Sequence, residues 1–232
     1  MLKLVIYPPA FGAPTASPFC VKSICMMKAS GLKWEAEVSS DPRGAPKGKL
    51  PFLKDSGKVI SDSDDIRDHL EKTYKIDFDE GLSQKDRAIS RAVIRMIEEH
   101  LYFAVVCNRW LNDENWEVVR VSLFSEIPKL VNGFVTKKIR AQAKANVNGQ
   151  GLGRHSPAEL AVRAGKDLAA IEELLGEKPF LFGDNPTAAD MSVVPMLHAI
   201  ASSKAKTPLA DLMQGNAALK GYVERGVTAM YP

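Results

Sequence analysis

Apolar and polar positions follow two different rhythms along this chain, with a change near residue 75. Residues 2–7 form a short apolar run closed by Pro8-Pro9, which predicts a strand followed by a loop through Gly12-Ala13-Pro14. Residues 17–30 carry a helical pattern with Phe19, Ile24 and Met27 on one stripe, and Gly31 supplies the stop. Residues 33–38 alternate as a second strand. Residues 41–48 are rich in Pro and Gly and predict a loop or one short helical turn. Residues 50–53 and 58–60 predict two strands around a Lys54-Asp55-Ser56-Gly57 turn, and residues 63–74 a helix with Ile66 and Leu70 at i and i+4.

Residues 75–81 are polar and aperiodic and read as a linker. Beyond them the rhythm is helical throughout. One long helix is predicted over 83–110, with Ile89, Val93, Ile97 and Ala104 on a face. Helices follow over 115–130 and 132–147, parted around Pro128 and Gly133. Ser156-Pro157-Ala158-Glu159 is a capping box with Pro at the first helical position, and Thr187-Ala188-Ala189-Asp190 is a second box with Asp in place of Glu. A last helix is expected over 216–230. These patterns predict two domains. Residues 1–75 have the β-α-β-β-α order of a thioredoxin-like α/β domain, and residues 76–232 form an all-helical one.

Composition narrows the functional classes. Of 232 residues, 45% are hydrophobic and 25% charged, which suits a globular core held without disulfides. A net charge of +3 permits anionic ligands but gives no footprint for nucleic acid. The chain enters a strand at once, with no leader pattern, and no apolar run approaches the ~20 residues needed to span a bilayer. Cys20, Cys25 and Cys107 are few and odd in number, with no CxxC spacing, as expected of a reducing, cytoplasmic setting.

The chemistry concentrates at Leu50-Pro51 and Ser61-Asp62-Ser63. A Pro opening a strand is confined to an edge, a strand start or a cis bond. A cis Leu50–Pro51 bond would leave the Leu50 backbone free to pair with an extended peptide. Ser63 would sit at a helix N-terminus, where a hydroxyl and backbone N–H groups hold a carboxylate. A peptide clamp beside a carboxylate clamp suits glutathione; the plainer alternative is a hairpin followed by a capped helix. Ser17 stands where the first loop turns into a helix. There it would either donate to a bound sulfur within the field of the helix terminus or serve only as an N-cap.

The order and spacing of four stretches resemble glutathione transferases over nearly the whole length, closest to the branch of failed-axon-connections-like and metaxin-like proteins. They are Ser17-Pro18-Phe19-Cys20 with Gly31-Leu32-Lys33-Trp34-Glu35; Gly48-Lys49-Leu50-Pro51 with Ser61-Asp62-Ser63; Glu98-Glu99-His100-Leu101-Tyr102; and Gly151-Leu152-Gly153-Arg154-His155-Ser156-Pro157 with Pro179-Phe180-Leu181-Phe182-Gly183 and Pro186-Thr187-Ala188-Ala189-Asp190. The resemblance implies glutathione as co-substrate, no metal, a small hydrophobic electrophile as second substrate, and a homodimer. Ser17 becomes the expected catalytic residue, with Tyr7 and Cys20 as alternatives. Leu50, Pro51, Lys49 (or Lys47), Asp62 and Ser63 become the glutathione-binding set. Tyr102, Phe103 and Trp110 would line the second-substrate pocket, and Arg109, Arg154 and His155 would add positive charge at its rim.

Ser17-Pro18-Phe19-Cys20 also looks like a glutaredoxin site with Ser for the first Cys, which leaves glutathione-dependent reduction through Cys20 as a second reading. Use of the fold for binding without catalysis is a third. Three signals carry little. Gly149, Gly151 and Gly153 follow no strand; Lys137, Lys138, Arg140 and Lys144 read as a solvated face; and His69, His100, His155 and His198 lack metal spacing.

Overall fold

The computed structural model describes residues 1–232. Four strands, β1 (Leu2–Ile6), β2 (Trp34–Val38), β3 (Phe52–Asp55) and β4 (Lys58–Ser61), form one sheet in the order β2-β1-β3-β4. β1 runs parallel to β2, pairing Leu4 with Ala36, and antiparallel to β3, pairing Leu4 with Leu53. β3 and β4 form a hairpin whose loop is shorter than the sequence predicts. The strands continue to Asp55 and resume at Lys58, so only Ser56 and Gly57 turn, both at positive φ (48° and 83°). Two left-handed residues give the loop a twist that matches the strands it joins.

Helix α1 (Pro18–Ala29) departs from the stripe expected of it. Cys20, Val21, Lys22, Ser23, Ile24, Cys25, Met26 and Met27 are all buried, because α1 lies between the sheet and the helical domain. A helix apolar nearly all round belongs in an interior. Gly31 (φ +65°) ends it as predicted. Pro42–Gly44 makes one 3₁₀ turn, and α2 covers Ser63–Tyr74.

The helical domain opens with one continuous helix over 84–111: α3 (Gln84–Met96), a π segment (Ile97–Leu101), α4 (Tyr102–Val106) and a second π segment (Cys107–Leu111). Each π turn takes up an extra residue and rotates the side chains beyond it. α5 (Asp113–Phe124) and α6 (Lys129–Gln150) follow. They part at Ser125–Pro128, and Gly133 lies inside α6 rather than at a break. α7 (Pro157–Leu175) and α8 (Ala188–Ala201) both start on the predicted capping boxes. A short helix not foreseen, α9 (Pro208–Gly215), precedes α10 (Ala217–Met230). Gly226 of α10 meets Val194 of α8 so closely that a Cβ would fall 2.5 Å from a valine methyl.

A single core of 45 buried residues runs through both domains, from Leu4, Leu53, Ile24 and Met27 to Ile97, Leu101, Val193 and Leu197. Asp190 anchors the helical side. Fully buried, it accepts from the Leu181 N–H (3.0 Å), the Thr187 N–H and hydroxyl (2.8 Å each) and the Tyr222 hydroxyl (2.7 Å). No helix is long and apolar enough to cross a membrane.

Candidate functional site

The loop before β3 and the start of α2 are joined by their backbones. The Leu50–Pro51 bond is cis. The Asp62 N–H donates to the Pro51 carbonyl at 3.4 Å, so the turn lies against the first residues of α2. Asp62 caps α2, its carboxylate accepting from the Asp64 N–H at 3.0 Å. It does so with φ 88° and ψ 138°, a region nearly exclusive to glycine that costs on the order of 1–3 kcal/mol. Ser63, the first residue of α2, is 2% exposed, and its hydroxyl has no hydrogen-bond partner within the protein. A buried polar atom without a partner costs ~1–3 kcal/mol, a condition that Ser63 shares with the Thr15 and Ser61 hydroxyls.

The two lysines expected near this site differ. Lys47 is occupied, 2.9 Å from Asp65 and 3.4 Å from the Ser61 carbonyl. Lys49 is exposed and enters no ion pair, free to meet an anion. The acidic residues also divide. Asp64 joins Arg91 (2.6 Å), Arg95 and Lys22 (3.6 Å each). Burial pulls its carboxyl up, but these three cations outweigh that and hold it below the usual range. Lys22 itself is 2% exposed on α1 and bonds Glu98 of the first π segment at 2.7 Å. Ser192 donates to the same oxygen at 2.9 Å, and Arg95 bonds the other. A buried ion cluster thus ties α1, the long helix and α8 to the start of α2 through Asp64, the residue after Ser63. A buried lysine inside a helix interior gave no signal in the sequence.

Ser17 is half-buried at the start of α1. It occupies the N-cap position with extended backbone, yet its side chain makes no capping bond, so the hydroxyl is not committed to the helix. Its hydroxyl and that of Thr15 approach the Cys20 thiol, and the Tyr7 phenol is within electrostatic range of that thiol. Burial pushes the Cys20 thiol up to about 11, against smaller downward pulls from the Tyr7 backbone and the Ser17 and Thr15 hydroxyls. Burial likewise pushes Tyr7 up to about 12, with Cys20 and Tyr102 adding and the Leu50 amide opposing. Neither group is anionic near neutral pH. Tyr7 lies just past β1, half-buried and packed on the core.

The three aromatic residues expected to line a second pocket separate. Tyr102 faces the site, edge-on to Phe19 at 4.8 Å, near Tyr7 and Cys20. Phe103 packs on Tyr102 at 5.3 Å and on a satellite core of Cys107, Val147, Leu152 and Leu160. Trp110 is turned away into a cluster with Trp116 and Phe124, so it is no pocket residue here. The π segment Cys107–Leu111 rotates the helix at this point, and Arg109, expected at the pocket rim, lies at the cleft. Arg109 covers the Phe11 ring at 4.1 Å and donates to the Ala16 carbonyl at 3.2 Å. Arg154 and His155 lie on the loop before α7, bonded locally to the Asn148 carbonyl and facing Glu159 at 4.0 Å respectively.

Comparison with known proteins shows which family shares this fold. Residues 18–115 match the family model for the glutathione S-transferase N-terminal domain, and residues 164–226 that for the C-terminal domain. The chain is 31% identical to isoprene-epoxide–glutathione S-transferase of Rhodococcus sp. (strain AD45), covering 97% of each. It is also 31% identical to Failed axon connections of Drosophila melanogaster over 94% of its own length, though it spans only 55% of that protein. A glutathione S-transferase of Ceriporiopsis subvermispora in complex with glutathione superposes with a TM-score of 0.64 at 16% identity, covering 98% of this chain and 95% of that one.

Proposed function

The chain belongs to the glutathione S-transferase family, and from that premise we propose that it binds reduced glutathione and activates its thiol for attack on a small hydrophobic electrophile. The observation that carries this reading is the unpartnered Ser63 hydroxyl, buried at the start of α2 and tied through Asp62 to the cis Leu50–Pro51 turn. On this reading Ser63 and the α2 N-terminus hold the γ-glutamyl carboxylate. Asp62 meets the neighbouring amino group. The Leu50 backbone pairs with the cysteinyl unit, and Lys49 meets the glycyl carboxylate.

The sulfur then lies at Ser17. The α1 N-terminus favours an anion there by ~0.3–1 kcal/mol, and up to ~2 where partly buried. A hydroxyl donating to the sulfur adds on the order of 1.5–3 kcal/mol. Each ~1.4 kcal/mol lowers the thiol by about one pKa unit, so a thiol near ~8.5 becomes mostly thiolate at neutral pH. The thiol proton passes to solvent. The thiolate lone pair forms the S–C bond, and the electrophile's leaving group departs with the electrons of the bond that breaks. We place the division between the two domains at residues 75 and 76. The glutathione clamp then belongs wholly to the first domain, while Tyr102 and Arg109 of the second meet the loop and helix around Ser17 at Phe19 and Ala16.

A second reading, glutathione binding without conjugation, is favoured by one observation: the crevice between the β1–α1 loop and α8, lined by Phe11, Thr15, Ala16 and Arg109, encloses only about 10 Å³. Calorimetric titration with reduced glutathione tests the common part. Binding weakened about tenfold or more by Ser63→Ala fits the loss of one charge-assisted hydrogen bond, whereas binding indifferent to Ser63 contradicts the clamp. A screen of electrophiles with the bound form then separates conjugation from binding alone.

A further inference from the structure

Arg109 is a cation without an anion. Its guanidinium donates from Nη1 to the Ala16 carbonyl (3.2 Å) and from Nη2 to the Ala199 carbonyl (3.3 Å), and it lies over Phe11. A guanidinium offers five N–H donors, so these two bonds leave three. The titratable groups that face it are the Tyr102 phenol and the His198 imidazole. Burial pushes the Tyr102 phenol up and the His198 imidazole down, so both are neutral near neutral pH and neither balances the guanidinium. Burial lowers Arg109 only to about 10, so the cation persists. Such a charge is costly to desolvate and is ordinarily paired.

Two small crevices meet at this side chain. One is lined by Phe11, Thr15, Arg109, His198 and Ser202. The other is lined by Asn108, Arg109, Asn115, Ser203 and Lys204. Neither wall contains an aspartate or a glutamate, and the second holds two cations among amides and hydroxyls. A strut holding the Ala16 and Ala199 carbonyls would need neither a second cation nor walls free of acids.

We propose that Arg109, with Lys204 at the mouth, forms a subsite for the carboxylate end of the second substrate. The inference rests on the reading of this cleft as the second-substrate site. Each crevice encloses about 10 Å³, room for roughly one water-sized group. It therefore admits a carboxylate oxygen but no ring or chain, and the body of the substrate lies outside, in the cleft. The Arg109–Ala16 bond sets the distance, because Ala16 precedes Ser17. A carboxylate on Arg109 places the adjoining carbons beside the residue assigned to the sulfur. The preferred electrophile is then a small organic acid with its reactive carbon near the carboxylate.

The test uses phenoxyacetate and its neutral counterpart phenoxyacetamide, titrated calorimetrically into the full chain with glutathione present. The acid binds about tenfold or more tightly than the amide, and added salt weakens the acid alone. Lys204→Gln, at an exposed position, weakens the acid and leaves the amide unchanged. Arg109→Met loses the preference, and Arg109→Lys keeps most of it. Equal binding of acid and amide, binding of neither, or an acid affinity unaltered in Lys204→Gln and in folded Arg109→Met overturns the proposal. Conjugation of iodoacetate and iodoacetamide to glutathione is followed separately. If the acid probe binds as described but neither reagent reacts faster than in buffer, the transferase reading fails while the anion subsite stands.

Discussion

The Asp62 N–H donates to the Pro51 carbonyl at 3.4 Å, and this bond joins the two halves of the proposed glutathione clamp. It explains why a non-glycine residue stands at φ 88° in a sheet-to-helix junction. The backbone must turn sharply after Ser61 to reach Pro51 and still present Ser63 as the first residue of α2. Asp62 offsets part of that strain by capping the helix.

Asp62→Gly is therefore close to neutral for stability. The glycine relieves the strained backbone while losing a cap that glycine replaces at a cost of a few tenths of a kcal/mol. Asp62→Ala keeps the strain and loses the cap, costing about 1–2 kcal/mol in urea denaturation. Both variants weaken glutathione, measured by calorimetry, if the carboxylate meets the ligand's amino group. Unchanged glutathione affinity in Asp62→Gly would leave the residue a cap alone.

Lys22→Met removes one partner from a buried pair and leaves Glu98 with Arg95 and Ser192 only. The expected loss is about 3 kcal/mol in chemical denaturation, at the lower end for a broken buried pair because part of the cluster survives. Lys22→Met with Glu98→Leu should cost less than the sum of the two single changes. Additive costs would mean the pair is not coupled.

The Cys20 thiol, pushed up to about 11 by burial, stays protonated near neutral pH. Native protein should resist iodoacetamide at Cys20, as judged by mass spectrometry, and Cys20→Ala should keep its conjugation rate. Rapid labelling of Cys20, or a glutathione mixed disulfide on it, would instead support glutathione-dependent reduction.

Acid stability carries a contribution from Asp64. Its carboxyl is held below the usual range in the folded chain, so the unfolded chain binds protons more readily. The stabilisation is present above the unfolded pKa of ~3.9 and fades as pH falls through the folded value. Asp64→Asn should flatten the loss of melting temperature below about pH 4, and an unaltered acid slope would place that sensitivity elsewhere.

Local signals made much of this fold legible. The bounds of α2, the stop at Gly31 and the starts of α7 and α8 follow from caps and turn residues that act within a few positions. The cis turn and the place of Ser63 at the start of α2 were legible for the same reason. What stayed hidden depends on contacts between distant segments. The π segments at Ile97–Leu101 and Cys107–Leu111 leave the helical pattern intact but change which residues face the cleft, so Trp110, expected to line the pocket, packs on Trp116 and Phe124, while Arg109, expected at the rim, lies at the cleft. Lys22 is buried only because Glu98 lies 76 residues away. Helix α9 is eight residues long, too short for periodicity to mark it, although Thr207-Pro208 is a cap and first-turn pair that signals its start.

The most direct test of thiol activation is the ultraviolet titration of the thiolate of bound glutathione, in the native chain and in Ser17→Ala. The proposed mechanism predicts a bound thiol well below the free value of ~8.5, with Ser17→Ala returning it about one to two units upward and slowing conjugation roughly 10- to 100-fold at neutral pH. A bound thiol that titrates like the free one, or that is indifferent to Ser17, would contradict it.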